Sequence, residues 1–136
     1  MRDYFYTFKE YLENIPKVLC HNDSQPSNFI MTDNGLKIVD FEFVGNNDYL
    51  YDLACFGNMD IVDGEKLLEV YFDGNISKDV KKRFYLWRAF QCFQWYNVAM
   101  FKDLVGMSVT LKLDFKMIAE SYLKYIKQNL DVVKTI

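Results

Sequence analysis

The chain has 136 residues, 51% of them hydrophobic and 18% aromatic, and a formal charge of −3. That is one domain's length, with ample apolar side chains for a core. The mild negative charge and the lack of a long basic run argue against nucleic-acid binding, and no run of about 18 apolar residues is present to cross a membrane.

The opening MRDYFYTFKEYLENIP mixes charges with aromatics and has no signal-peptide apolar region. Phe5, Phe8 and Leu12 recur at helical spacing, which predicts a short amphipathic helix over residues 3–13 that stops before Pro16. Val18 to Cys20 lead into a polar segment. Phe29–Met31 and Leu36–Phe41 are short apolar runs around TDNG, and Asn34-Gly35 predicts a β-hairpin because both residues tolerate positive φ. GNND at 45–48 has turn chemistry, and Asp48 is placed to cap a helix through YLYDLACF.

GEKLLEVYF (64–72) reads as another helix, closed by Asp73-Gly74. Ser77 opens the longest helical pattern, which runs to about Gly106 and is apolar nearly all round at its centre, the mark of a helix buried on several sides. A last amphipathic helix spans about 114–129 and carries Phe115, Ile118, Tyr122 and Ile126. The expected fold class is mainly α with a small β-hairpin (α+β). Cys20, Cys55 and Cys92 are odd in number, widely spaced and form no CxxC pair. Such usage predicts free thiols in a reducing cytoplasm, not zinc or disulfides.

The hairpin connects two polar clusters. Asp23 and Asn28 precede its first strand, and Asp40 and Glu42 end its second. Antiparallel strands joined by a tight turn bring their outer ends together, so Asn28 and Asp40 are expected to be neighbours. A carboxylate, an amide oxygen and a second carboxylate then converge. Oxygen-only ligation suits a hard cation, and so small a set suits Mg²⁺ completed by water and substrate phosphates better than a Ca²⁺ cage.

His21-x-Asp23-x4-Asn28 followed by Asp40-Phe41 resembles a kinase catalytic loop with its metal-binding segment. In that pattern Asn and the later Asp hold Mg²⁺, and the first Asp takes the proton of an acceptor hydroxyl as the bond to phosphorus forms. His21 is then expected to fix the loop by hydrogen bonds.

CHNDSQPSN, KIVDFEF and GNNDYLYDLA together resemble the choline/ethanolamine kinase group of the aminoglycoside-phosphotransferase-like, protein-kinase-like superfamily. The match is tight over about 18–55 and looser beyond. Asn22 follows the choline-kinase pattern, where antibiotic kinases more often have glycine. The resemblance implies the C-terminal lobe of a protein-kinase-like fold, with ATP as phosphoryl donor and Mg²⁺ as cofactor. It makes Asp23 the catalytic base and Asn28 and Asp40 the Mg²⁺ ligands, and sets Gln25 and Glu42 near the acceptor or the metal. The family's acceptor pocket is aromatic, because a quaternary ammonium has no N–H to donate and is held by ring faces. Phe43, Trp95 and Phe115 resemble positions of that pocket, with Tyr96 and Trp87 as further candidates. Cys92 stands where a second pocket tryptophan is expected.

One domain over 1–136 is expected, with catalytic loop and metal segment at about 18–45 and a helical acceptor-binding part at about 46–130. The six glycines form no Gly-rich phosphate loop, and the amino-terminal nucleotide lobe of the family is expected to be absent. An apolar surface near Val18 and Phe41 is therefore expected to be exposed and to favour self-association. The expected substrate is a small amino alcohol, choline or ethanolamine foremost. An aminoglycoside or other small-alcohol kinase, and a non-catalytic binding domain, are the alternatives.

Overall fold

The computed structural model describes residues 2–58 and 60–136, with the side chains of residues 2–5 and 7, Phe5 among them, outside the described set. The elements in chain order are α1 (Arg2–Glu13), β1 (Val18–Cys20), β2 (Phe29–Thr32), β3 (Gly35–Ile38), β4 (Gly45–Asn47), α2 (Tyr49–Phe56), α3 (Ile61–Tyr71), α4 (Lys78–Leu104), α5 (Met107–Leu111) and α6 (Phe115–Thr135). No helix among the described residues is long and apolar enough to cross a membrane.

Local chemistry sets most helix starts. Asp48, Asp60, Ser77 and Asp114 each accept a backbone N–H of the following first turn, which satisfies donors that the helix itself leaves orphaned. The Asp60 cap starts α3 at Ile61, three residues ahead of the expected Gly64. Asp73 and Gly74, at φ 48° and 75°, close that helix. Gly106, at φ 79°, ends the α4 stretch and allows the short α5, which the sequence pattern does not announce. The last helix continues to Thr135, beyond the expected 129, because Leu130 and Val133 keep packing on the main core.

The core lies where α2, α3, α4 and α6 meet. Leu50, Leu53, Ala54, Leu68, Val80, Phe84, Leu86 and Val133 are buried together, with Phe8 and Leu12 of α1 packed on the rim. Each fully buried large apolar side chain contributes roughly 2 kcal/mol. At the far end of α4, Ala99, Ala119 and Phe115 form a second cluster. Val133 meets the start of α4 while Phe115 and Ala119 meet its end, so α4 and α6 run antiparallel.

Two antiparallel strand pairs sit beside this helical body. β2 and β3 form the expected hairpin, in register Phe29↔Ile38 to Thr32↔Gly35. Its turn differs in detail: Gly35 alone takes positive φ, at 94°, while Asn34 stays out of the left-handed region. The strand ends at Ile38 and does not reach Phe41, because Asp40 enters the left-handed region at φ 66°. The second pair corrects the turn expected at 45–48. Gly45–Asn47 is extended and pairs with β1, as Val18↔Asn47, Leu19↔Asn46 and Cys20↔Gly45. The side chain of Asn47 donates to Asn22 instead of closing a turn.

The strand pairs are poorly covered. Val18, Leu19, Ile30, Met31, Leu36, Ile38 and Phe41 are all exposed, Met31 at 77%. The surface expected near Val18 and Phe41 is thus present. All three cysteines are free and buried.

Candidate active site

The polar segment His21–Asn28 connects β1 to β2 and is pinned from below by α2. Asp52, in that helix, accepts the His21 N–H on Oδ2 and the Asn22 N–H on Oδ1, each at 2.8 Å. Ser24 Oγ–H donates to the Asp52 carbonyl at 2.6 Å. The chain turns at Asn22, whose φ of 64° asparagine tolerates better than most residues. His21 bridges two segments. Its Nδ1 accepts the Asp23 N–H at 3.3 Å, and its Nε2 donates to the Val39 carbonyl at 2.9 Å, the pattern of a ring with its proton on Nε2. Phe41 packs on the same ring, with centroids 4.8 Å apart.

Pro26–Asn28 form a single 3-10 turn with proline at its start, where its missing N–H costs nothing. The turn points the Asn28 carboxamide back at the loop. Its Nδ2 donates to the Asp23 carbonyl at 2.7 Å and to Asp23 Oδ2 at 3.0 Å. Gln25 Nε2 donates to the same Oδ2 at 3.2 Å. The Asn28 carbonyl accepts the Val39 N–H at 3.0 Å, which sets Asp40 next in chain to that bond. His21, Asp23, Gln25 and Asn28 are therefore one hydrogen-bonded group, and the backbone ties Asp40 to it.

The group suits a hard divalent cation. With the Asn28 nitrogen engaged by Asp23, its Oδ1 accepts no hydrogen bond among the described residues. Amide oxygen and the Asp40 carboxylate are ligand types that Mg²⁺ takes together with water. No cluster of three or more His, Cys, Asp or Glu side chains suited to a metal occurs among the described residues.

The remaining candidates divide. Glu42 and Phe43 are exposed on the segment after Asp40, and Trp95 is 38% exposed on α4. Phe115 is buried among Ala99, Ala119, Tyr96, Met107 and Ile118, with Lys102 Nζ 5.3 Å from its ring centroid. It belongs to the helix packing, and its face is already taken. Trp87 is likewise core, with its indole N–H donating to Asp48 at 2.8 Å. A surface cleft between α1 and the start of α4, lined by Glu10, Tyr11, Asp79 and Arg83, contains none of these candidates.

Sequence reasoning passed over Asp52, Ser24 and Asn47. The one available signal is an acid interrupting the otherwise apolar YLYDLACF, one turn after its cap. Asp48 does more than start a helix. It is fully buried, accepts from Leu50 N–H and Trp87, and pairs with Arg83 at 3.3 Å.

A mostly helical body carrying a hairpin and this loop defines the C-terminal lobe of a protein-kinase-like fold. The chain belongs to the APH phosphotransferase enzyme family, whose model matches residues 7–88. LicA of Haemophilus influenzae is 40% identical over 50 residues, 37% of this chain and 15% of LicA. A crystal structure of a choline/ethanolamine kinase family protein from Mesorhizobium loti superposes with a TM-score of 0.78 at 23% identity, over 95% of this chain and 45% of that one. LicA in complex with AMP superposes with a TM-score of 0.68 at 19% identity, over 98% and 45%. At these identities the structural likeness carries the fold. The chain spans less than half the length of either solved relative.

Proposed function

We propose that this chain is the catalytic-loop lobe of an ATP-dependent phosphotransferase acting on the hydroxyl of a small amino alcohol, choline or ethanolamine foremost. The observation that carries this reading is Asn28, whose carboxamide nitrogen holds Asp23 while its backbone carbonyl ties in Val39, next in chain to Asp40. Family membership, and the AMP held by LicA, support a nucleotide as donor.

In this reading Asn28 and Asp40 hold Mg²⁺, which when bound neutralises the oxygens of the transferring phosphoryl group. Asp23 does the proton work. Its Oδ2 is fixed by Asn28 and Gln25, which leaves Oδ1 for the acceptor hydroxyl. As the acceptor oxygen bonds to the γ-phosphorus and the bond to ADP breaks, the hydroxyl proton passes to Asp23. Glu42 and the exposed rings of Phe43 and Trp95 offer an ammonium group a carboxylate and two π faces. The free thiols suit a cytoplasmic setting, and the exposed apolar hairpin suits self-association.

The test is ADP release with Mg²⁺ and ATP, run separately with choline, ethanolamine and an aminoglycoside. In a version that also carries a nucleotide lobe, release that depends on choline or ethanolamine, and that Asp23→Ala abolishes while leaving Mg²⁺–ATP binding nearly intact, is expected. Asp40→Ala is expected to weaken that binding as well. Release with the aminoglycoside alone moves the acceptor class, and release with none of the three from a version that also carries a nucleotide lobe overturns the reading.

A further inference from the structure

The two ends of Asn22 are used in opposite directions. Its backbone N–H goes down to Asp52 on α2. Its side chain reaches across to the segment that follows β3: Nδ2 donates to the Phe43 carbonyl at 2.9 Å and to the Gly45 carbonyl at 3.4 Å. Its Oδ1 accepts from Asn47 Nδ2 at 2.9 Å, and Asn47 Oδ1 accepts in turn from the Asp48 N–H at 2.9 Å. The neighbouring His21 holds the other end of the same segment, through the Val39 carbonyl and the Phe41 ring.

Two adjacent side chains thus bracket residues 39–45. Between the brackets lie Asp40, Glu42 and Phe43, all exposed. Inside them the backbone makes one turn bond, Val44 N–H to the Phe41 carbonyl at 3.2 Å. With no strand partner over residues 40–44 among the described residues, the segment depends on its ends for its position.

We propose that Asn22 is a positioning residue whose carboxamide, and not only its left-handed backbone, holds the Asp40–Phe43 segment against the loop carrying Asp23. Residue chemistry separates the two explanations. Positive φ alone is met by glycine at no cost and is tolerated by aspartate. Glycine keeps the backbone and deletes the bridge. Aspartate keeps the shape and the acceptor for Asn47, but turns a carboxylate without a donor toward two carbonyl oxygens. If backbone conformation were all that mattered, both substitutions would be silent. What the bridge means for transfer rests on the phosphotransferase reading; the positioning itself does not.

Residue-resolved amide hydrogen exchange on the wild-type chain, Asn22→Gly and Asn22→Asp tests this. Losing the bridge is expected to lower protection at Val44 and across Gly45–Asn47 about tenfold in Asn22→Gly. Asn22→Asp is expected to lose more, although it is the closer isostere. Amides in the middle of α4 are expected to stay within about twofold of wild type. Equal protection at Val44 in all three proteins overturns the proposal, and so does a loss spread evenly into α4. The ADP-release assay on the same proteins then adds the functional arm, with acceptor KM expected to rise more than kcat falls in Asn22→Gly. Should the wild type in a version that also carries a nucleotide lobe show no acceptor-dependent release, the phosphotransferase reading fails while the exchange pattern still decides the role of Asn22.

Discussion

The carboxylate of Asp52 accepts the backbone N–H groups of His21 and Asn22, one on each oxygen, at 2.8 Å. The candidate catalytic loop is therefore fastened to α2 by a residue whose two carboxylate oxygens are both taken up by the loop backbone. Charge-assisted bonds to two backbone donors are strong, and removing the acceptor leaves both donors unmet. Asp52→Ala is expected to cost about 3 kcal/mol, and Asp52→Asn about half that because one acceptor oxygen survives. Urea denaturation measures both, and wild-type stability in Asp52→Ala would show that the loop is held by something else.

Asp48 offers a second test, because its carboxylate is fully buried and serves three donors: Leu50 N–H, Trp87 Nε1 and Arg83. Truncation leaves a largely buried guanidinium and an indole N–H without that partner. A loss of about 3–5 kcal/mol is expected for Asp48→Ala. Unfolding followed by the fluorescence of Trp87 and Trp95 reports it, and a loss below about 1 kcal/mol would reduce Asp48 to an ordinary helix cap.

The α2–α3 junction is fixed by bare backbone. A Cβ at Gly57 would stand 2.8 Å from Gly64 Cα and 2.5 Å from Arg88 Nη1. Gly57→Ala is expected to destabilise by about 1–3 kcal/mol through forced separation of the two helices. Gly35→Ala is the comparison: its φ of 94° is strained for alanine, but the space around it is open. Its cost is expected to be about 1 kcal/mol and confined to the hairpin, so equal global losses in the two variants would remove the steric argument.

Burial pushes the thiols of Cys20 and Cys92 up to about 11 and that of Cys55 up to about 12. The folded state holds these protons more tightly than the unfolded chain. The resulting stabilisation is complete below the ordinary thiol value of about 9 and disappears as pH rises from there through 11 to 12. Stability is expected to show no thiol-dependent change between pH 7 and about 8, and then to fall steeply in alkali. Thiol labelling at pH 8 is expected to be slow in the native chain and complete in denaturant. Fast native labelling would place at least one cysteine at the surface.

Much of this architecture was legible in the residues. Asp48 and Ser77 marked helix starts, Asp73-Gly74 a stop, and TDNG a hairpin, because caps and turns act within about four residues of chain. The pairing of Asn28 with the Asp40 segment was also accessible, since a two-residue turn dictates which strand ends meet. The aromatic helices were less informative. Periodicity assigns Trp95 and Phe115 to helices, yet the same pattern serves a pocket wall and a packed core. Only the approach of α6 to α4 buries Phe115 and leaves Trp95 partly open.

The sequence by itself determined the longer helices, the hairpin and the composition of the polar loop, because those follow from local φ preferences, capping and apolar spacing. Tertiary structure decided what holds that loop in place. Asp52 lies 31 residues from His21, and Asn47 lies 25 from Asn22. Whether such pairs meet depends on which face α2 turns toward β1 and on the β1–β4 pairing that converts an apparent turn into a strand. Neither leaves a local mark, since any Asp or Asn in a helix or loop reads as a cap or a turn until its distant partner is in place.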